Sequence, residues 1–132
     1  MAQDTGYWKP MSTTAKGITG DIGITGEKLT INFASFTIAD IRALTPEESA
    51  AVFNSEPGNT GIGKLYRLNI PAKKTFLHRN AMCGAEDTEW MATFASKRTL
   101  DVAFFSGSHM PVFTQEAIGN STALCGTFAY TR

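Results

Sequence analysis

The sequence has little of what would place it in a membrane, on a nucleic acid or around a metal. No apolar run approaches the roughly 18 residues that a spanning helix needs, so no transmembrane segment is expected. Hydrophobic residues at 42% against charged residues at 18% describe a chain able to bury a core rather than a disordered one. Neither sign of charge is in excess: 12 basic and 12 acidic residues give a formal net charge of zero. Broad nucleic-acid or anionic-membrane binding needs a net basic face, so neither is expected.

Catalytic and metal-binding patterns are missing as well. The two histidines, His78 and His109, and the two cysteines do not stand at the spacings of a recognised metal set. The acidic stretch AEDTEW lacks the alternating oxygen ligands of a calcium loop. A thiol–imidazole pair would have to be assembled from Cys83 with His78 or His109, with Asp87 or Glu89 as the acid, and no spacing encodes it. The stretch FSGSHM lacks the Gly-x-Ser-x-Gly pattern of a nucleophile elbow. Gly58, Gly61 and Gly63 lack the Lys-Ser/Thr ending of a phosphate loop. No enzyme activity, metal or cofactor is expected.

What the chain does have is alternation. With 132 residues it is long enough for one domain, 1–132, with a real core. In KLTINF, Leu29, Ile31 and Phe33 face one way and Lys28, Thr30 and Asn32 the other, the pattern of a half-buried antiparallel strand. Ile18, Ile22 and Ile24 align similarly, Thr25-Gly26-Glu27 forms a hairpin link, and Phe36 with Ile38 continues the series. Residues 17–42 thus read as a three-strand meander. Further strands are expected in KLYRLNIP (Tyr66, Leu68 and Ile70 on one face), KTFLH, EWMATFA (Trp90, Ala92, Phe94) and TLDVAFF (Leu100, Val102, Phe104). In ALCGTFAYT, Leu124, Phe128 and Tyr130 align, which leaves Cys125 on the opposite face. Gly20, Gly23 and Gly126 mark candidate bulges or corners. One short helix interrupts the strands: in TPEESAAVF, Thr45 is the N-cap, Pro46 the first helical residue and Glu48 the partner of a capping box.

The expected fold is therefore all-β: a small antiparallel β-barrel of about eight strands with one short helix, and residues 1–12 as a partly flexible start. The first residues lack the basic and apolar regions of a signal peptide. However, Ala2-Gln3-Asp4 reads like a chain just after signal cleavage, so a periplasmic or secreted protein is expected, with an ordinary cytosolic start as the alternative. In an oxidising compartment Cys83 and Cys125, 42 positions apart, would form a disulfide. Buried free thiols are the other reading.

Two surface features suggest binding. Arg67, Lys73, Lys74, His78 and Arg79 form a basic cluster suited to an anionic partner or head group, or a solvated barrel rim. The strand 99–105 runs into Ser106, Gly107, Ser108 and His109 before Pro111 stops it, presenting small polar groups on a stiff support. Such a tip suits insertion into a partner's cleft and equally suits a plain loop. The stretch SGSHM resembles the first half of the Ser-Gly-x-x-Tyr loop with which periplasmic lysozyme-inhibitor β-barrels plug the lysozyme cleft. Met110 stands where that family has tyrosine. The resemblance implies that Ser106 reaches the catalytic carboxylates of a hydrolase such as lysozyme, assisted by His109 and the basic residues. The rival expectation is a lipocalin-like carrier with a small apolar ligand inside the barrel, motivated by nine Phe, three Tyr and two Trp. A third is an envelope protein with no soluble ligand.

Overall fold

A computed structural model of the chain describes residues 4–31, 34–53 and 61–132. Within these residues, nine antiparallel strands form one sheet. They are β1 (Gly6–Pro10), β2 (Ile22–Ile24), β3 (Lys28–Ile31), β4 (Ala34–Thr37), β5 (Ala39–Leu44), β6 (Ile62–Ile70), β7 (Thr88–Ser96), β8 (Thr99–Ser106) and β9 (Leu124–Thr131). The sheet order is β4-β3-β2-β1-β9-β8-β7-β6-β5. Every chain neighbour but one is thus a sheet neighbour, and the first and last strands pair. The exception is β4 and β5, which lie at opposite ends of the ladder although only Ile38 separates them in the chain. β4 lies beside β6 without ladder hydrogen bonds to it, so the two ends of the sheet approach each other.

The alternation places two cores on the two faces of this sheet. The larger holds Trp8, Ile22, Ile24, Leu29, Ile31, Tyr66, Leu68, Ile70, Leu100, Val102, Phe104, Phe128 and Tyr130. The smaller, on the opposite face, holds Leu65, Trp90, Ala92, Ala103 and Phe105 under Leu44, Val52 and Phe113. Strands β6, β7 and β8 are buried on both faces, which is why LYRL and VAFF combine alternation with near-continuous apolar runs. Trp8, Tyr66, Tyr130 and Phe104 are all fully buried in the larger core and fill its interior.

The expected helix is α2 (Pro46–Phe53), and its capping box forms as the sequence implies. The Glu48 N–H donates to Thr45 Oγ1 at 3.2 Å, and the Thr45 N–H donates to Glu48 Oε1 at 3.0 Å. Arg42 adds a two-pronged ion pair to the same carboxylate, 2.8 Å on each prong. The Arg42 hydrogen bonds and the Thr45 N–H together hold the Glu48 carboxyl down at about 2, below its ordinary 4.5. A carboxyl lowered on folding stabilises the fold above its unfolded value, and that contribution is lost as pH falls through the folded one. Glu48→Gln should therefore flatten the loss of stability of the chain between about pH 4.5 and about 2, read by denaturant unfolding at a series of pH values. Parallel pH profiles for the two proteins would contradict this coupling.

Several sequence expectations change. There are three short helices among the described residues rather than one, the others being α1 (Thr13–Ile18) and α3 (Gln115–Gly119). Ile18 therefore ends a helix instead of sharing a strand face with Ile22. Gly20 follows that helix with φ +63°, a left-handed position that favours glycine, and its N–H caps the Ala15 carbonyl at 2.8 Å. The region of KTFLH is not a strand: Leu77–Arg79 is a short 3-10 turn, flanked by a single bridge between Thr75 and Ala81. The strand assignments of Asn32 and Phe33, and most of the glycine-bearing linker after α2, lie outside the described residues. Of residues 1–12, Gly6–Pro10 is β1, between β2 and β9.

Cys125 and Leu124 exchange the faces expected of them. The β8–β9 register slips at this point: Phe104 stands opposite Gly126 but Phe105 opposite Leu124, leaving Cys125 as the extra residue of a bulge. The bulge turns Leu124 to the smaller core and Cys125 to the larger one.

Candidate functional site

The β6–β7 connection (71–87) and the β8–β9 connection (107–123) emerge at one end of the sheet, because Thr88 of β7 pairs with Ser106 of β8. The Cys83–Cys125 disulfide, with Cα atoms 5.0 Å apart, ties the first connection to the start of β9. Its partners had to reach the same side of the sheet, and the bulge at Cys125 is what brings this about. The Thr88 hydroxyl lies 3.0 Å from Cys83 Sγ, and both cysteines pack against the larger core.

The Ser-Gly loop divides into a buried base and a solvent-exposed tip. Ser106 is a buried strand residue whose N–H donates to the Ala123 carbonyl at 2.8 Å, and whose hydroxyl points to the same oxygen. It therefore does not stand at the tip where the resemblance would put it. Gly107 turns the chain at φ +89°, a conformation that a side chain would strain. Its carbonyl accepts a 2.9 Å hydrogen bond from the Trp90 indole. Gly107, Ser108, His109 and Met110 are exposed, Val112 is 64% exposed, and Phe113 returns the chain to the smaller core in edge-to-face contact with Phe105. The tip thus displays Met110 and Val112, two apolar side chains that the strand alternation did not single out. The signal that could have found them is their place beside Pro111, where no strand or helix can turn them inward.

The basic residues do not act as one group. Arg67 is half-buried on the face of the smaller core, paired with Glu89 at 2.6 Å and stacked over the Trp90 ring at 4.7 Å. This places Arg67, Glu89 and Trp90 in one stack behind Gly107, as support for the tip. Lys73, Lys74, His78 and Arg79 are exposed on the 71–87 connection, and no ion pair to the three cations occurs among the described residues. Lys73 and Lys74 border an open groove of 540 Å³ with Phe36 and Pro71. His78 and Arg79 are consecutive non-glycine residues with φ +57° and +62°, a strained pair that presents both side chains outward.

A second polar cluster lies inside the larger core. Asp4 is buried, and one of its carboxylate oxygens accepts from the Tyr66 hydroxyl at 2.6 Å and from the Thr93 hydroxyl at 3.0 Å. Its other oxygen has no partner among the described residues. Burial and the neighbouring Asp4 push the Tyr66 phenol well above its ordinary value, so it stays a donor. No group of three or more potential metal ligands occurs among the described residues. No helix there is long and apolar enough to cross a membrane.

No protein-family model matches the chain, and no curated protein or solved structure matches it either. The functional reading therefore rests on the residues themselves: a tip of exposed Met110 and Val112 on a fixed base, beside an exposed basic connection held by a disulfide.

Proposed function

We propose that this chain is a secreted or periplasmic binding protein without enzymatic activity, which presents the 107–112 tip to another macromolecule. Its sheet reads as a barrel of eight members, with β4 and β5 as the two halves of one strand bent at Ile38, one half bonded to β3 and the other to β6. The disulfide fits an oxidising compartment.

The observation that carries the proposal is the contrast within one loop. Exposed apolar side chains at Met110 and Val112 stand between two anchors, the Trp90–Gly107 hydrogen bond and the buried Phe113 ring. A tip already fixed in place loses little conformational freedom when a partner covers it, which favours tight binding by few residues. The partner class suggested by the Ser-Gly resemblance is a hydrolase such as lysozyme. With Ser106 buried, the groups that would enter its cleft are Ser108, His109 and Met110, and Lys73, Lys74 and Arg79 would face an acidic rim.

Cell-wall lysis by a panel of lysozymes, measured with increasing amounts of the oxidised chain, tests this. One of them should be inhibited stoichiometrically. Replacing Met110 and Val112 together by aspartate should weaken inhibition by roughly 30-fold or more, as for a central contact, with the thermal unfolding of the chain unchanged. Full lysis by every enzyme at a large excess of the chain would remove the hydrolase reading. Inhibition that survives the double substitution would remove the tip.

A further inference from the structure

On the face of the sheet that carries the smaller core, away from the tip, an open cavity of 240 Å³ lies between the last turn of α2 and strands β8 and β9. Val52 and Phe53 from α2 form its apolar side, Asp101 comes from β8, and Ser12 and Thr127 add hydroxyls at its margin. Asp101 alternates out of phase with Leu100 and Val102, so it points away from the larger core and toward this cavity. Its carboxylate is half-buried and has no hydrogen bond or ion pair among the described residues. Burial raises its proton affinity, and no cationic side chain among the described residues counters the effect.

A partly desolvated carboxylate without a counter-charge is unfavourable and calls for a reason in the native structure. Among the described residues, the other acidic groups at buried or half-buried positions are engaged: Glu48 by Arg42, Glu89 by Arg67, Asp4 by Tyr66 and Thr93. Asp101 instead lines an open space, and the Phe53 ring lines the same space. A carboxylate and an aromatic ring lining one small cavity are the two groups that recognise organic ammonium ions, by charge and by the ring quadrupole together. The size agrees, since the cavity is below the roughly 300–1,000 Å³ of sites for larger ligands.

We infer that the Phe53–Asp101 cavity is a binding site for a small alkylammonium group. This site is separate from the 107–112 tip and does not rest on the function proposed for it. Tetramethylammonium is the probe, with tert-butanol as a neutral molecule of similar shape. Amide proton–nitrogen correlation spectra of the oxidised chain are recorded while each is added. The expected result is a saturable shift of the amides around Asp101, Thr127 and Phe53 with the ammonium ion only. Asp101→Asn should weaken that binding about tenfold or more, and Phe53→Leu by a smaller factor, with the spectra otherwise preserved. Any one of three outcomes overturns the inference: no shift with tetramethylammonium, equal shifts with tert-butanol, or unchanged binding by Asp101→Asn. Should Asp101→Asn spread changes over the whole spectrum, the comparison of the two probes on the unaltered chain decides alone.

Discussion

Opening the Cys83–Cys125 disulfide will lower the stability of this chain by about 4 kcal/mol, the chain-entropy value for a loop of this length. That is a large share of the roughly 5–15 kcal/mol available to a domain of ordinary stability. The bridge crosses from the irregular 71–87 connection, which has only one isolated bridge and a short 3-10 turn of its own, to the bulged start of β9. Without it, the connection keeps the Phe76 and Met82 anchors in the larger core and a few backbone hydrogen bonds. Urea unfolding of the oxidised chain, the reduced chain and a Cys83→Ala/Cys125→Ala variant measures the effect. Both altered forms should unfold at clearly lower urea, and the exposed basic residues of the connection should lose their protection from proteolysis. Coincident midpoints would mean that packing alone fixes this end of the sheet.

Replacing Trp8 by alanine should cost about 3–5 kcal/mol, the range for emptying a large aromatic site in a core. Trp8 is fully buried at the centre of β1, the strand that joins β2–β4 on one side to β9 and the rest of the sheet on the other. Its indole N–H donates to the Asp4 carbonyl at 2.9 Å, and the Arg132 guanidinium lies 4.0 Å from its ring centroid. One side chain therefore fastens both ends of the chain to the middle of the sheet. Hydrogen exchange should show the loss unevenly: β2, β3 and β4 join the rest of the hydrogen-bonded ladder through β1 and should lose protection first, while β6–β8 should keep theirs. Uniform loss across all strands would mean that the sheet is a single cooperative unit with no joint at β1. Trp8→Phe should retain much of the stability, because the ring remains and only the hydrogen bond and part of the area go.

Much of the fold was legible in short stretches. The alternations in KLTI, LYRLNI and TLDVAFF named the buried residues of the larger core, since in a strand the period alone separates the faces. The capping box at Thr45-Pro46-Glu47-Glu48 located α2 with its first residue, because all its hydrogen bonds lie within one turn. The two cysteines gave the disulfide. The three-strand reading of 17–42 failed at its start, because Ser12 caps a helix with its hydroxyl, accepting from the Ala15 N–H at 3.1 Å, and Gly20 ends it. The strand expected in KTFLH failed because a local pattern cannot show the absence of a neighbour to pair with, and a strand without a ladder does not form.

The candidate sites were less legible. Ser106 read as a tip residue because it follows a strand, but β8 and the Ala123 carbonyl extend the ladder through it. The basic run read as one patch because its residues are close in sequence, yet Arg67 is turned to Glu89 and Trp90 while the lysines stay in solvent. Asp101 drew no notice, since a single acid on the outward phase of a strand is ordinarily solvated. Only the packing of α2 over β8 makes it half-buried.

By itself, then, the sequence determined the local choices: which strand residues alternate inward, where α2 begins, and that a disulfide could form. The tertiary structure decided the rest. The slip that turns Cys125 inward, the pairing of the first strand with the last, the burial of Ser106 and the cavity over Asp101 all depend on contacts between residues far apart in the chain. The physical reason is that alternation and capping are energies within a few residues, whereas register, strand order and desolvation are set by whichever distant segment comes to lie alongside.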